Sequence, residues 1–136
     1  MKKIISSCLL IAILLMLSSC STKKDNITIN NAKNIIKITI KTKPGNDRSI
    51  KSTENKSRIT EIANYINGLD LKKITKNPNE YTGGAYIITL YFDDKTSTEY
   101  VHFGNMFFKE SGKDWYEMSY NQAEELDDIY NSLDNK

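Results

Sequence analysis

Ile36, Ile38 and Ile40 alternate with Lys37, Thr39 and Lys41, the period of two expected of a strand with one buried and one wet face. Lys43-Pro44-Gly45-Asn46-Asp47 then supplies residues that preset turn dihedrals, so residues 48–52 are expected to return as a short partner strand. Between residues 55 and 67 the period changes. Ile59, Ile62, Ala63 and Ile66 fall three and four apart, which predicts an amphipathic helix, and Gly68 stands where a left-handed helix end favours the absence of a Cβ. Leu69 is the next apolar position in step. The segment DLKKIT is ambiguous, and KNPNEYTGGA reads as a loop. Four strand-like runs follow, at residues 86–92, 97–103, 106–109 and 114–118, with short turn-prone separators that predict an antiparallel meander. Gly104-Asn105 suits a two-residue hairpin with glycine at the positive-φ position. Ser119-Tyr120-Asn121-Gln122 has the form of a capping box, and Ala123, Leu126, Ile129, Tyr130 and Leu133 make the apolar stripe of a last helix. The pattern predicts an α+β domain over residues 35–136: an antiparallel β-meander sheet with two amphipathic helices packed on one face.

Ahead of this domain the chain begins MKKIISSCLLIAILLMLSS, with Lys2 and Lys3, an unbroken apolar run from position 8 to position 17, and two serines. That is the charged, apolar, small-residue order of an export signal. The run is about half the roughly 20 apolar residues that a membrane-crossing helix needs. At its end stands Leu17-Ser18-Ser19-Cys20, which resembles the lipobox of bacterial lipoproteins with a type II signal peptide: leucine, two small residues, then the cysteine. The resemblance implies that residues 1–19 are removed and that Cys20 carries a diacylglycerol thioether. One acyl chain holds a protein only marginally, whereas two anchor it stably. Cys8 would leave with the signal and Cys20 would be alkylated, so the mature chain would hold no disulfide. Residues 21–34 are polar and read as a flexible tether from Cys20 to the domain.

In general plan the chain resembles the small lipoproteins of Gram-positive bacteria of the Bacillus and Clostridium kind, with a lipobox, a Lys/Asn-rich tether and one small domain. This implies the outer face of the cell membrane, with the lipid on Cys20 as the membrane contact.

Charge changes the picture modestly. Of 19 Lys/Arg against 17 Asp/Glu, the signal takes two lysines, which leaves a mature chain near neutrality. Positions 23–76 hold 13 bases and 5 acids, and positions 77–136 hold 4 and 12. Either the two halves interleave and offset each other, or a basic face is drawn to anionic lipid or an anionic envelope polymer. Nothing in this balance points to nucleic acid.

The inventory for catalysis is thin. His102 is the only histidine, it lies in the strand-like run Tyr100-Val101-His102-Phe103, and it reads as a structural or surface residue. A histidine-based zinc site lacks further ligands once Cys20 is lipidated, and no cofactor motif is present. The acidic pairs Asp93/Asp94, Glu124/Glu125 and Asp127/Asp128 are sequence neighbours on an expected turn and helix, where solvated roles are ordinary. Aromatics are more suggestive, because twelve of thirteen lie from Tyr81 onward. If helices cover one face only, Tyr91, Tyr100, Trp115 or Tyr116 is left on an open sheet surface, and Tyr81 sits in a loop beside Gly83-Gly84. Tyr and Trp supply rigid contact area with a polar tip. The expected function is therefore a membrane-anchored, non-catalytic binding module for a protein, a peptide or an envelope polymer. The alternatives are a carboxylate-based enzyme acting on wall glycan, or an accessory subunit of a membrane complex.

Overall fold

The computed structural model describes residues 27–45, 49–75, 77–78 and 83–134. The expected signal segment, Cys20, the first part of the expected tether and Tyr81 lie outside the described residues. The elements run β1 (Ile35–Lys43), β2 (Ile50–Thr53), α1 (Lys56–Asn67), β3 (Lys72–Lys73), β4 (Ala85–Phe92), β5 (Ser97–Phe103), β6 (Phe107–Glu110), β7 (Tyr116–Glu117) and α2 (Tyr120–Asn131), after a single 3-10 turn at Ala32–Asn34. Every strand pairing is antiparallel, in the order β2-β1-β4-β5-β6-β7-β3. The α+β class and the β4–β7 meander are as the pattern predicts. Strand order is the addition: β1 turns back on β2 at one edge and pairs along its length with β4, while β3 closes the other edge against β7. Both edge strands are short, which limits the unpaired backbone they offer to other chains.

Register fixes the faces, because residues directly opposite share a side of the sheet. One row crosses the sheet through Thr42, Tyr86, His102, Phe108 and Tyr116, and the next through Ile40, Ile88, Tyr100 and Glu110. Ile38, Ile40, Ile88, Leu90 and Phe108 on this side are fully buried and share one core with Ile59, Ile62, Ala63 and Ile66 of α1 and Leu126 and Ile129 of α2. Both helices therefore cover the same face. They run side by side in opposite directions: Arg58 meets Ser132 at one pair of ends, and at the other the Tyr65 hydroxyl donates to the Gln122 carbonyl at 2.8 Å.

Several expectations change in detail. The tether does not extend to Asn34: Ile27 and Ile29 are buried in the core, and the Ile29 amide donates to the Asn67 side chain at 2.7 Å. The short alternation Ile27-Thr28-Ile29 is an apolar signal diluted by its Asn and Lys neighbours, and the domain reaches back at least to Ile27. Gly68 is not left-handed; it continues the right-handed turn with φ −88°, and its amide donates to the Asn64 carbonyl at 2.8 Å. The hairpin after β5 takes three residues, with Gly104 at φ 59° as expected but Met106 in the turn, since Phe103 pairs with Phe107. At the start of α2 the Ser119 hydroxyl caps the Gln122 amide at 3.4 Å and donates to the Gln122 side-chain oxygen at 3.2 Å, while the rest of the Gln122 amide group turns toward α1. Its amide donates to the Gly68 carbonyl and its oxygen accepts from the Asp70 amide, which ties the start of α2 to the end of α1.

Candidate functional site

The second face of the sheet is built from the residues that alternate against the core. Lys37, Thr39 and Lys41 of β1 lie on it, and register sets Tyr91 beside Lys37, Ile87 between Lys41 and Val101, Lys109 beyond Val101, and Phe103 between Ala85 and Phe107. Trp115 packs on Phe103 with ring centroids 6.4 Å apart, and the Lys109 ammonium stands 4.5 Å above the indole. Neither helix lies on this side. The segment after β3 flanks one border, where Pro78 packs near Phe107 and Glu117. The face is thus a half-buried apolar centre beside a row of lysines, with Glu99 and Glu117 also on this side by register. An antiparallel sheet with a wet second side usually shows polar residues there, so the aromatic centre stands out.

The aromatic candidates divide between the two sides. Tyr91, 39% exposed, and Trp115 are on the open face. Tyr100 is not a surface contact: it is 2% exposed, stacked on Phe108 at 5.8 Å, and burial pushes its hydroxyl pKa up to about 12. It faces inward because it lies opposite Ile88. Tyr116 shares the row of Phe108 and packs against the core, so it too leaves the open face.

A second feature lies on the helix side, at the end of the sheet where β1 finishes. A cleft of about 370 Å³ opens between Thr42, Lys43 and Pro44, the start of β4, the turn at Gly104 and Asn105, and the first turns of α2. His102 lines it, only 3% exposed, and neither ring nitrogen has a partner at hydrogen-bond geometry. The Asn105 backbone beside the ring favours its charged form. Burial, the larger effect, lowers the pKa below the usual imidazole value, against opposition from the Asp127 carboxylate. Tyr86 stacks on the imidazole at 5.9 Å and contacts Tyr130 at 5.1 Å. Burial first, and the nearby Asp127 carboxylate second, push the Tyr86 hydroxyl upward. Glu124 joins Asp127 on the cleft wall, one helical turn away on the same side of α2.

Sequence reasoning passed over this cleft because His102 reads as a structural or surface residue. The signal that finds it is alternation: in Tyr100-Val101-His102 the histidine shares the side of Tyr100, which is the side that receives the helices. At the other end of the sheet a polar cleft of about 310 Å³ is lined by Asn30, Asn31, Asn34, Asp93 and Asp94. There the Asp94 carboxylate is taken up by the Thr96 amide and hydroxyl, which lower its pKa. Among the described residues, no group of three or more His, Cys, Asp or Glu side chains is placed to hold a metal ion. No family model, curated protein or solved structure matches this chain at a significant level.

Proposed function

We propose that the protein is a lipid-anchored module on the outer face of the cell membrane that binds an anionic envelope polymer without catalysis. The observation that carries this reading is the open sheet face, where Lys41 and Lys109, with Lys37 held by Glu54 at 3.0 Å on the border, flank Ile87, Tyr91, Phe103 and Trp115. Cations beside aromatic rings suit a polymer that alternates phosphate with sugar or polyol: ammonium groups meet the phosphates, and the rings meet the carbon faces. Anchoring at Cys20 fits the same picture. With Ile27 already in the core, residues 21–26 are all that separates lipid from domain, and a chain of six residues spans at most about 20 Å. The domain then sits close to the lipid surface.

A carboxylate-based glycan hydrolase needs two acids on opposite sides of the bond it cleaves. Glu124 and Asp127 line one cleft but stand on one helix face, which favours binding over hydrolysis. The test is a binding isotherm of the full-length protein in lipid nanodiscs with a purified glycerol-phosphate polymer. Trp115→Ala, and Lys41→Glu combined with Lys109→Glu, are each expected to weaken binding about tenfold, with the wild-type affinity falling as salt rises. Unchanged affinity in both variants contradicts the proposal. Intact-mass analysis of the native product checks the anchor: it is expected to start at Cys20 with two or more acyl chains, and an unacylated Cys20 would sink that part.

A further inference from the structure

We propose that the cleft over His102 is a second binding site, for a small organic molecule that carries a protonated amine beside a hydrogen-bonding group. A neutral imidazole offers one N–H donor and one lone pair, and folded proteins rarely leave both unmade in the interior, since each buried group without a partner has lost its bonds to water with nothing in return. His102 is 3% exposed, and neither nitrogen makes a bond of hydrogen-bond geometry, the Asn105 backbone lying beside the ring without completing one. Tyr86 stacks over the ring at 23° between planes, so it covers the face of the ring and leaves the nitrogens on the edge without a partner. The imidazole forms part of the cleft wall, so whatever occupies the cleft is what can reach those nitrogens.

The opposite wall gives the charge of the occupant. Glu124 and Asp127 project from successive turns of α2, and neither has a cationic partner among the described residues. Tyr120 and Tyr86 lie beside Glu124 and Asp127 respectively, and although Lys43 also borders the cleft, neither carboxylate is in a salt bridge with it. An ammonium group placed between them satisfies both, and the aromatic rings add favourable faces for a cation. The buried imidazole prefers to stay neutral, which keeps a lone pair ready to accept an ammonium N–H while the other nitrogen donates to an adjacent hydroxyl or carboxylate oxygen. A volume of about 370 Å³ is near the lower end for ligand pockets and selects a small molecule.

The cleft lies at the end of β1 bearing Thr42 and Lys43, whereas the N-terminal segment packs at the end bearing Asn34. Seven residues of strand separate Ile35 from Thr42, roughly 23 Å. This site is therefore on the opposite end of the sheet from the chain's attachment, and on the opposite face from the polymer surface, so the two proposals fail independently.

The test is NMR of the His102 imidazole in the full-length protein in detergent micelles, titrated with ethanolamine, glycine and acetate. Ethanolamine and glycine are expected to move the imidazole resonances saturably, and acetate is expected to leave them in place. Glu124→Gln, at an exposed position that leaves the fold intact, is expected to weaken ethanolamine binding about tenfold. A crystal soaked in ethanolamine is expected to have the amine between Glu124 and Asp127. No saturable shift, an equal response to acetate, or density for ordered water alone on both His102 nitrogens overturns the proposal.

Discussion

A single titratable side chain isolates the chemistry of the cleft. His102 is the only histidine, so between about pH 7 and pH 5 few other groups change charge. Burial lowers its folded-state pKa below the usual 6.5, so the unfolded chain binds the proton more readily than the native one. Stability is therefore fully present above about pH 6.5 and declines as pH falls toward the lowered native value. Urea denaturation at pH 7 and pH 5 checks this: the wild type is expected to be less stable at pH 5, and His102→Phe is expected to lose that difference. The same variant removes two unsatisfied nitrogens, so at pH 7 it is expected to be more stable by about 1 kcal/mol, or several degrees in Tm. A lower Tm at pH 7 would mean that the nitrogens are satisfied by ordered water. The side of the sheet that His102 takes was legible from its neighbours, because Tyr100 and His102 are two apart. Its burial was not, since that depends on α2 returning over the sheet from residues far along the chain.

Elements were the most legible level, and the exceptions have local causes. Both helices announce themselves by apolar spacing, and the Asn55 and Ser119 side chains cap them through Ser57, Arg58 and Gln122 amides. Glycine chemistry was read correctly at one position and wrongly at another. Gly104 sits at φ 59°, where a Cβ is strained, so Gly104→Ala is expected to cost about 1 kcal/mol or more. Gly68 is right-handed and a Cβ there meets the Asn64 carbonyl at 3.1 Å and the Tyr65 carbonyl at an ordinary 3.6 Å, so Gly68→Ala is expected to be the milder of the two by thermal melts. The reverse order would contradict the observed backbone. The segment before the 3-10 turn was misread as tether because two isoleucines among asparagines and lysines give too short a period to register. Ile29 is 7% exposed, so Ile29→Ala is expected to cost about 2–3 kcal/mol in urea denaturation, whereas a tether residue would cost nothing measurable.

At the scale of the molecule, strand order was the part that no local pattern specifies. Alternation tells that β1 has one buried side; it does not tell that β1 inserts between β2 and β4. That insertion decides the fate of the uneven charge. The basic first half supplies both edges of the sheet and the acidic second half its centre, with the Lys73–Asp114 bridge at 2.6 Å joining the two. The halves interleave, yet β1 still leaves a row of lysines on the open face beside the rings from β4, β5 and the β6–β7 connection. Among the described residues, no helix is long and apolar enough to cross a membrane.

Whether the open sheet face is the polymer-binding surface is decided by oxidative footprinting of side chains in the full-length, membrane-held protein, with and without the glycerol-phosphate polymer. Tyr91 and Trp115 are expected to lose reactivity on binding while Tyr120, 53% exposed beside the cleft, keeps it. Undiminished oxidation of Tyr91 and Trp115 at saturating polymer contradicts the claim.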